Sequence, residues 1–180
     1  MTTPTDPRPH TGEPLAIDLL NTRWQGDSPG DLLSDLAGVR RWLELTGVAD
    51  EVPADDHTSE ALLSAREAIH TAVTSGDATA LNQLLDLGRI RRTLAANGPH
   101  DIPEVADPAN LPGWLAANNL LDLLNAAPNR IRQCAHPNCV LFFYDTSKNG
   151  TRRWHSMATC GNRAKAARHY AAQQSSSSSR

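Results

Sequence analysis

Cys134, Cys139 and Cys160 are the only cysteines of a 180-residue chain, and they fall with His155 in one stretch, CAHPNCVLFFYDTSKNGTRRWHSMATCGNR. The spacing is C-x4-C, then fifteen residues, then H-x4-C. Tetrahedral zinc is held by thiolates and imidazoles converging from two short segments, and two such pairs meet that need. An odd number of cysteines also favours metal ligation over a disulfide framework in a reducing compartment. The predicted ligands are therefore Cys134, Cys139, His155 and Cys160. His136 and His169 stand near enough in sequence to replace His155, which is preferred because it restores the symmetry of the two pairs.

Charge divides the chain at the same place. The formal net charge of -3 combines residues 1–127, with 8 Lys and Arg against 19 Asp and Glu, and residues 128–180, with 9 against 1. Acidic and basic regions of one chain call for different partners. No apolar run reaches the length of a membrane span, and the first residues, MTTPTDPRPHTGEP, show no basic segment leading into an apolar one. These features predict a cytoplasmic protein without membrane contact. Pro and Thr at residues 1–14 and serines near the end, at 174–180, predict two disordered tails.

Between them, apolar periodicity predicts helices. LAIDLLN from Leu15 to Asn21 suits a short one. Leu32, Leu36, Val39 and Leu43 form a stripe that Gly47 ends; a third helix runs from about Ser59 to Ser75 before Gly76, and a fourth follows Asp77 to Gly88. Asn97-Gly98 marks a small hairpin or irregular loop between Ile90 and Val105. A leucine-rich helix then runs from Pro108 to Pro128 and should be central and largely buried. The expected architecture is mainly α, with a helical bundle-like domain over residues 15–127 and a small zinc module over 128–173. Little chemistry is legible in the helices; Asn21, Arg23 and Trp24 can line a small-molecule pocket, or Trp24 can pack between helices.

In the basic module, VLFFYD (140–145) and TRRWH (151–155) predict a β-hairpin between the ligand pairs. The Ala-rich run after Cys160 predicts a helix whose positive end favours the Cys160 thiolate. A knuckle, a hairpin and a helix make a treble-clef-like finger. On a helical wheel Lys165, Arg168 and His169 share the outer face, while Ala166, Ala167, Tyr170 and Arg163 lie on the packed side.

Residues 134–170 resemble the CGNR zinc finger, through the tetrapeptide at Cys160, Gly161, Asn162 and Arg163, Phe143, Asp145 and Ser147 before it, and RRW at 152–154. LAIDLLNTR with Trp42 and Leu43 is similar to the ABATE domain that precedes such fingers. The resemblance implies a zinc-dependent transcriptional regulator, linked in some members to stress. In one respect the chain departs from the family pattern: His155 stands where a cysteine follows the tryptophan. Three thiolates and an imidazole still make an ordinary zinc site.

Nucleic acid is the leading expected partner, with phosphate contacts assigned to Lys148, Arg152, Arg153, Lys165 and Arg168. Asp145, Trp154, Asn162 and Arg163 are assigned to supporting the zinc site. A homodimer, a small-molecule effector or a protein partner is compatible with this reading. The alternative is a protein-interaction module whose finger is only a scaffold. An enzyme is not expected, since four protein ligands close a zinc ion and the finger holds no glutamate to act as a general base.

Overall fold

The structure is a computed structural model, and it describes residues 6–26 and 28–167. Helix α1 spans Leu15–Leu20, α2 Leu36–Thr46, α3 Asp56–Ser75, α4 Thr79–Leu85 and α5 Leu111–Ala126. Three antiparallel pairs of strands accompany them: β1 (Arg23–Trp24) with β2 (Gly30–Asp31), β3 (Gly88–Ala95) with β4 (Gly98–Val105), and β5 (Ile131–Gln133) with β6 (Phe142–Tyr144). The mainly α class with small hairpins and a C-terminal finger is the architecture the sequence predicts.

Local sequence explains the helix limits. Asp35 and Asp55 accept the Gly38 and Thr58 amides at 2.8 Å, and so cap α2 and α3. Both helices end on glycines in the left-handed region, Gly47 at φ 79° and Gly76 at φ 76°. The stripe from Leu32 to Leu43 is not one helix, however. Leu32–Ser34 forms a single 3-10 turn, and the extended Asp35 restarts the chain. That break shifts the helical phase, so Leu36 is exposed while Leu32, Val39 and Leu43 are buried.

Helix α5 packs against α1, α3 and α4. At the α3 crossing a Cβ on Gly113 would stand 2.5 Å from the Ala65 Cβ, so this approach requires glycine. Only the first part of α5 is central: Trp114, Ala117 and Leu120 are buried, whereas Leu121 and Leu124 are exposed. The expectation of a largely buried helix fails in its last turns, where Leu121 and Leu124 are left exposed among the described residues.

Trp42, Ile17, Leu62, Ile69 and Leu120 form the core together with Phe142, which belongs to the C-terminal module. Asp31 ties β2 to α3: its two oxygens accept from the Arg66 guanidinium at 2.7 and 2.8 Å, and one also accepts the Leu33 amide. Burial alone would raise the Asp31 pKa, but Arg66 and the Leu33 amide lower it further than burial raises it. A carboxylate whose folded pKa lies below its unfolded one stabilises the fold at pH above about 4, and that contribution is lost as pH falls through the folded value. Urea midpoints of the wild type should therefore drop on acidification more steeply than those of Asp31→Asn; parallel curves would disprove this role.

The segment before α1 corrects the expected N-terminal tail. Of residues 1–14, those from Asp6 onward are described, and they are fastened to the body. The buried Arg8 donates to Asp6 at 2.8 Å and to Asp18 at 2.6 Å, and Asp18 also accepts from the Trp42 indole at 2.9 Å. Compositional reading missed this because the Pro-rich segment has no apolar period, and its attachment is polar. The expected tail at 174–180 lies outside the described residues. Among the described residues, no helix is long and apolar enough to cross a membrane.

Candidate metal centre

The finger grows out of α5 through a 3-10 turn, Pro128–Arg130, into β5. β5 and β6 are joined by the Cys134–Cys139 knuckle, which is closed by the Cys134 amide on Leu141 O at 2.9 Å and the Cys139 amide on His136 O at 3.0 Å. The predicted hairpin therefore exists with a different partner. VLFFYD pairs with Ile131–Gln133 across the first ligand pair, and residues 151–155 form no strand. They run beside the knuckle instead, where the Ala135 amide donates to Arg153 O at 2.8 Å. The β-branched and aromatic pattern located β6; it could not choose between two candidate partners.

After His155 the chain makes one wide π-type turn, Met157–Gly161, which Ser156 caps by accepting the Thr159 amide at 3.3 Å. Helical backbone continues from Asn162 to Ala167. Cys160 thus lies in the opening turn, as expected.

The donor atoms of Cys134, Cys139, His155 and Cys160 all lie within 4.8 Å of one another. Cys134, Cys160 and His155 are buried, and Cys139 is partly exposed. Cys139 Sγ stands 3.5 Å from His155 Nδ1. A tetrahedral zinc with bonds of about 2.3 Å to sulfur and about 2.0 Å to nitrogen separates those atoms by about 3.5 Å. The chemistry and spacing of the four donors therefore fit zinc, with Nδ1 as the ligating nitrogen. His136 is not in the cluster; its Nδ1 accepts the Asn138 amide at 3.3 Å within the knuckle. His169 lies outside the described residues.

The thiols influence one another strongly. Hydrogen bonds from Cys139, and then His155, hold Cys134 well below the usual thiol range in spite of its burial. The same bond to Cys134, then burial, pushes Cys139 up. Burial and the Cys134 charge raise Cys160. In the metal-free cluster these two effects oppose the thiolate that the helix end favours. Loading a divalent cation must therefore expel protons that the metal-free thiols share.

Supporting residues surround the cluster. The buried Asp145 accepts from Ser147 Oγ at 2.6 Å and from the Ser147 and Arg152 amides at 2.9 and 3.0 Å, which folds the loop between β6 and His155. Arg152, assigned by sequence to phosphate, lies 4.5 Å over the Phe143 ring and donates to the Trp154 and His155 carbonyls. It orients the ligand loop, and its half-buried guanidinium is committed there. Trp154 is half-buried with Arg153 5.2 Å over its ring. Asn162 is exposed and donates to Ala158 O at 3.2 Å. Lys148, Arg153 and Lys165 are exposed, whereas Arg168 and Tyr170 lie outside the described residues.

Arg163, Ala166 and Ala167 are also exposed, so the expected packed face of this helix is not formed over its described part. Arg163 sits at the rim of a cavity of about 270 Å³ that Trp24, Pro9, His136 and Cys139 also line. Of the three suggested pocket residues only Trp24 reaches it. Arg23 is exposed, and Asn21 does something sequence reading missed.

Fully buried, Asn21 donates to Phe142 O at 3.0 Å and accepts the Phe142 amide at 2.8 Å, pairing with β6 as another strand would. Glu13 accepts the Tyr144 amide at 2.8 Å and His10 at 2.7 Å, and the His10 ring lies 5.0 Å from that of His155. The signal for Asn21 was a polar residue closing the apolar run LAIDLLN; for His10 and Glu13 there was none beyond their i,i+3 spacing.

Comparison with known families bears on this geometry. The family described as "Putative stress-induced transcription regulator", ABATE, matches residues 13–127, and the CGNR zinc finger matches residues 130–173. The chain belongs to the ABATE family. Its CGNR finger supplies the four-donor cluster, and the ABATE helices supply Asn21 and Glu13. No curated protein matches the chain significantly.

Proposed function

We propose that the protein is a non-enzymatic transcriptional regulator whose CGNR finger holds one structural zinc ion and contacts DNA, while the acidic ABATE domain responds to an effector. The observation that carries this reading is the cluster of three thiols and one imidazole within 4.8 Å at the root of a module with exposed cations. When bound, zinc supplies four strong cross-links; four protein ligands leave no open position for substrate. Arg152, Asp145 and Ser147 hold the ligand loop, and Lys148, Arg153 and Lys165, with Arg168, meet phosphates. The cavity beside Trp24 and Arg163 is the place for a small effector, because it borders both the ABATE loop and the knuckle.

Duplex binding should weaken steeply with salt, the logarithmic slope being about -0.9 per phosphate contact. Lys148→Gln, Arg153→Gln and Lys165→Gln should each lower affinity for all sequences and reduce that slope by about one. Selection of genomic DNA by the zinc-loaded protein then tests whether any sequence is preferred. Absence of duplex binding at low salt would remove the DNA reading and leave the interaction scaffold.

A further inference from the structure

β3 and β4 form a two-stranded arm. At its base Gly88 lies so close to Trp114 that a Cβ would stand 2.7 Å from the indole. Beyond that anchor most side chains are exposed, Ile90 at 46 % and Leu94 at 84 %. A lone two-stranded ribbon is marginal in water, and a free strand edge is a template for another strand.

Proline fixes which backbone groups are free. Pro99 and Pro103 have no N–H, so Leu94↔Pro99 and Ile90↔Pro103 are pairs that exchange no hydrogen bonds within the arm. The alternation makes Arg92↔Asp101 a third such pair. The N–H and C=O groups of Ile90, Arg92 and Leu94 therefore point outward along β3. On β4 the matching positions are Pro99, Asp101 and Pro103, two of which have no donor to offer. The outer edge of β4 is blunted and that of β3 is complete.

We propose that this edge of β3 is a homodimer interface, pairing antiparallel with β3 of a second copy about a two-fold axis at Arg92. In that register Ile90 stands opposite Leu94 of the second copy, and Leu94 opposite its Ile90, with each pair exchanging both backbone bonds. The exposed apolar side chains of β3 thus meet their counterparts on one face of a four-stranded sheet, while Ile102 of β4, opposite Arg91, lies on the other face. Arg92 meets its own counterpart at the axis, and Asp101 balances its charge at 3.4 Å. Arg89 and Arg91 are likewise engaged by Glu104.

Charge also favours a second copy here. The arm holds three of the eight cations of residues 1–127 but only two of the nineteen acids, a balance of +1 within a strongly acidic region. Two copies meet at the arms with less repulsion than across their helices.

Sedimentation equilibrium of the full zinc-loaded chain tests the interface. The expected mass rises from one chain toward two as concentration increases, while the amides of Ile90, Arg92 and Leu94 gain protection from hydrogen exchange. Arg92→Pro removes an outward donor without touching a backbone hydrogen bond of the arm, though it gives up the exposed ion pair with Asp101, and should weaken the dimer by at least about tenfold. Leu94→Lys, which leaves the backbone intact, should do the same and decides the case if Arg92→Pro alters the circular dichroism. A chain that sediments as one copy at every concentration overturns the proposal and leaves the edge to an extended segment of another protein. A dimer that both folded variants keep at full strength also overturns it.

Discussion

Cys160→Ser is expected to reduce bound zinc from one ion per chain to nearly none, with His155→Ala giving the same result and His136→Ala retaining the metal. Cys160 and His155 are two of the four converging donors, whereas His136 spends its Nδ1 on the Asn138 amide. In isolated finger peptides a structural zinc contributes on the order of 10 kcal/mol of folding free energy. Here the loss should reach beyond the finger, because β6 follows the knuckle directly and Phe142 sits in the helical core. Metal content, together with the urea midpoint followed by near-ultraviolet dichroism, measures both effects. A His155→Ala protein that keeps its zinc, or a His136→Ala protein that loses it, would refute the ligand assignment.

Replacing Asn21 should also be costly, although Asn21 is not a ligand. Asn21→Leu keeps the volume approximately and removes both hydrogen bonds to Phe142, so an N–H and a C=O are left unpaired in the interior. At about 1–3 kcal/mol for each unsatisfied group, the cost is about 2–6 kcal/mol. Chemical denaturation of the zinc-loaded protein gives the number directly. A loss below about 1 kcal/mol would mean that water or a backbone shift satisfies Phe142, and that the clamp is not what joins the two parts.

Legibility followed the range of the forces involved. Helices α2 to α5 could be read because their apolar stripes are encoded within a few residues, and α2 and α3 also end on the glycines expected of them. The restart at Asp35 could not, since Leu32 to Leu43 keeps an unbroken period in sequence even where the backbone breaks. The four donors were legible because metal chemistry accepts few residue types and all three cysteines cluster. Strand pairing was not, because β6 had plausible partners on both sides and the choice of β5 depends on closing the knuckle. Arg152 shows the weakness of counting charges: it looked like its exposed neighbour Arg153, and only the Phe143 ring and two carbonyls distinguish it. The cap-like side chains of Asn21 and Glu13 act on partners more than a hundred residues away, where no local pattern can point to them.

That separation bears on the order in which the protein is made. Asn21 and Phe142 are 121 positions apart, and Glu13 and Tyr144 are 131. While the chain emerges from the ribosome, the side-chain amide of Asn21, the residue that caps α1, has no Phe142 to bond until 121 further residues have been made. Contacts of such span fold late and slowly. The helical part can therefore make its full set of buried bonds only after the strand that follows the first two candidate ligands has been made, which ties the first helix to the finger in folding as well as in structure.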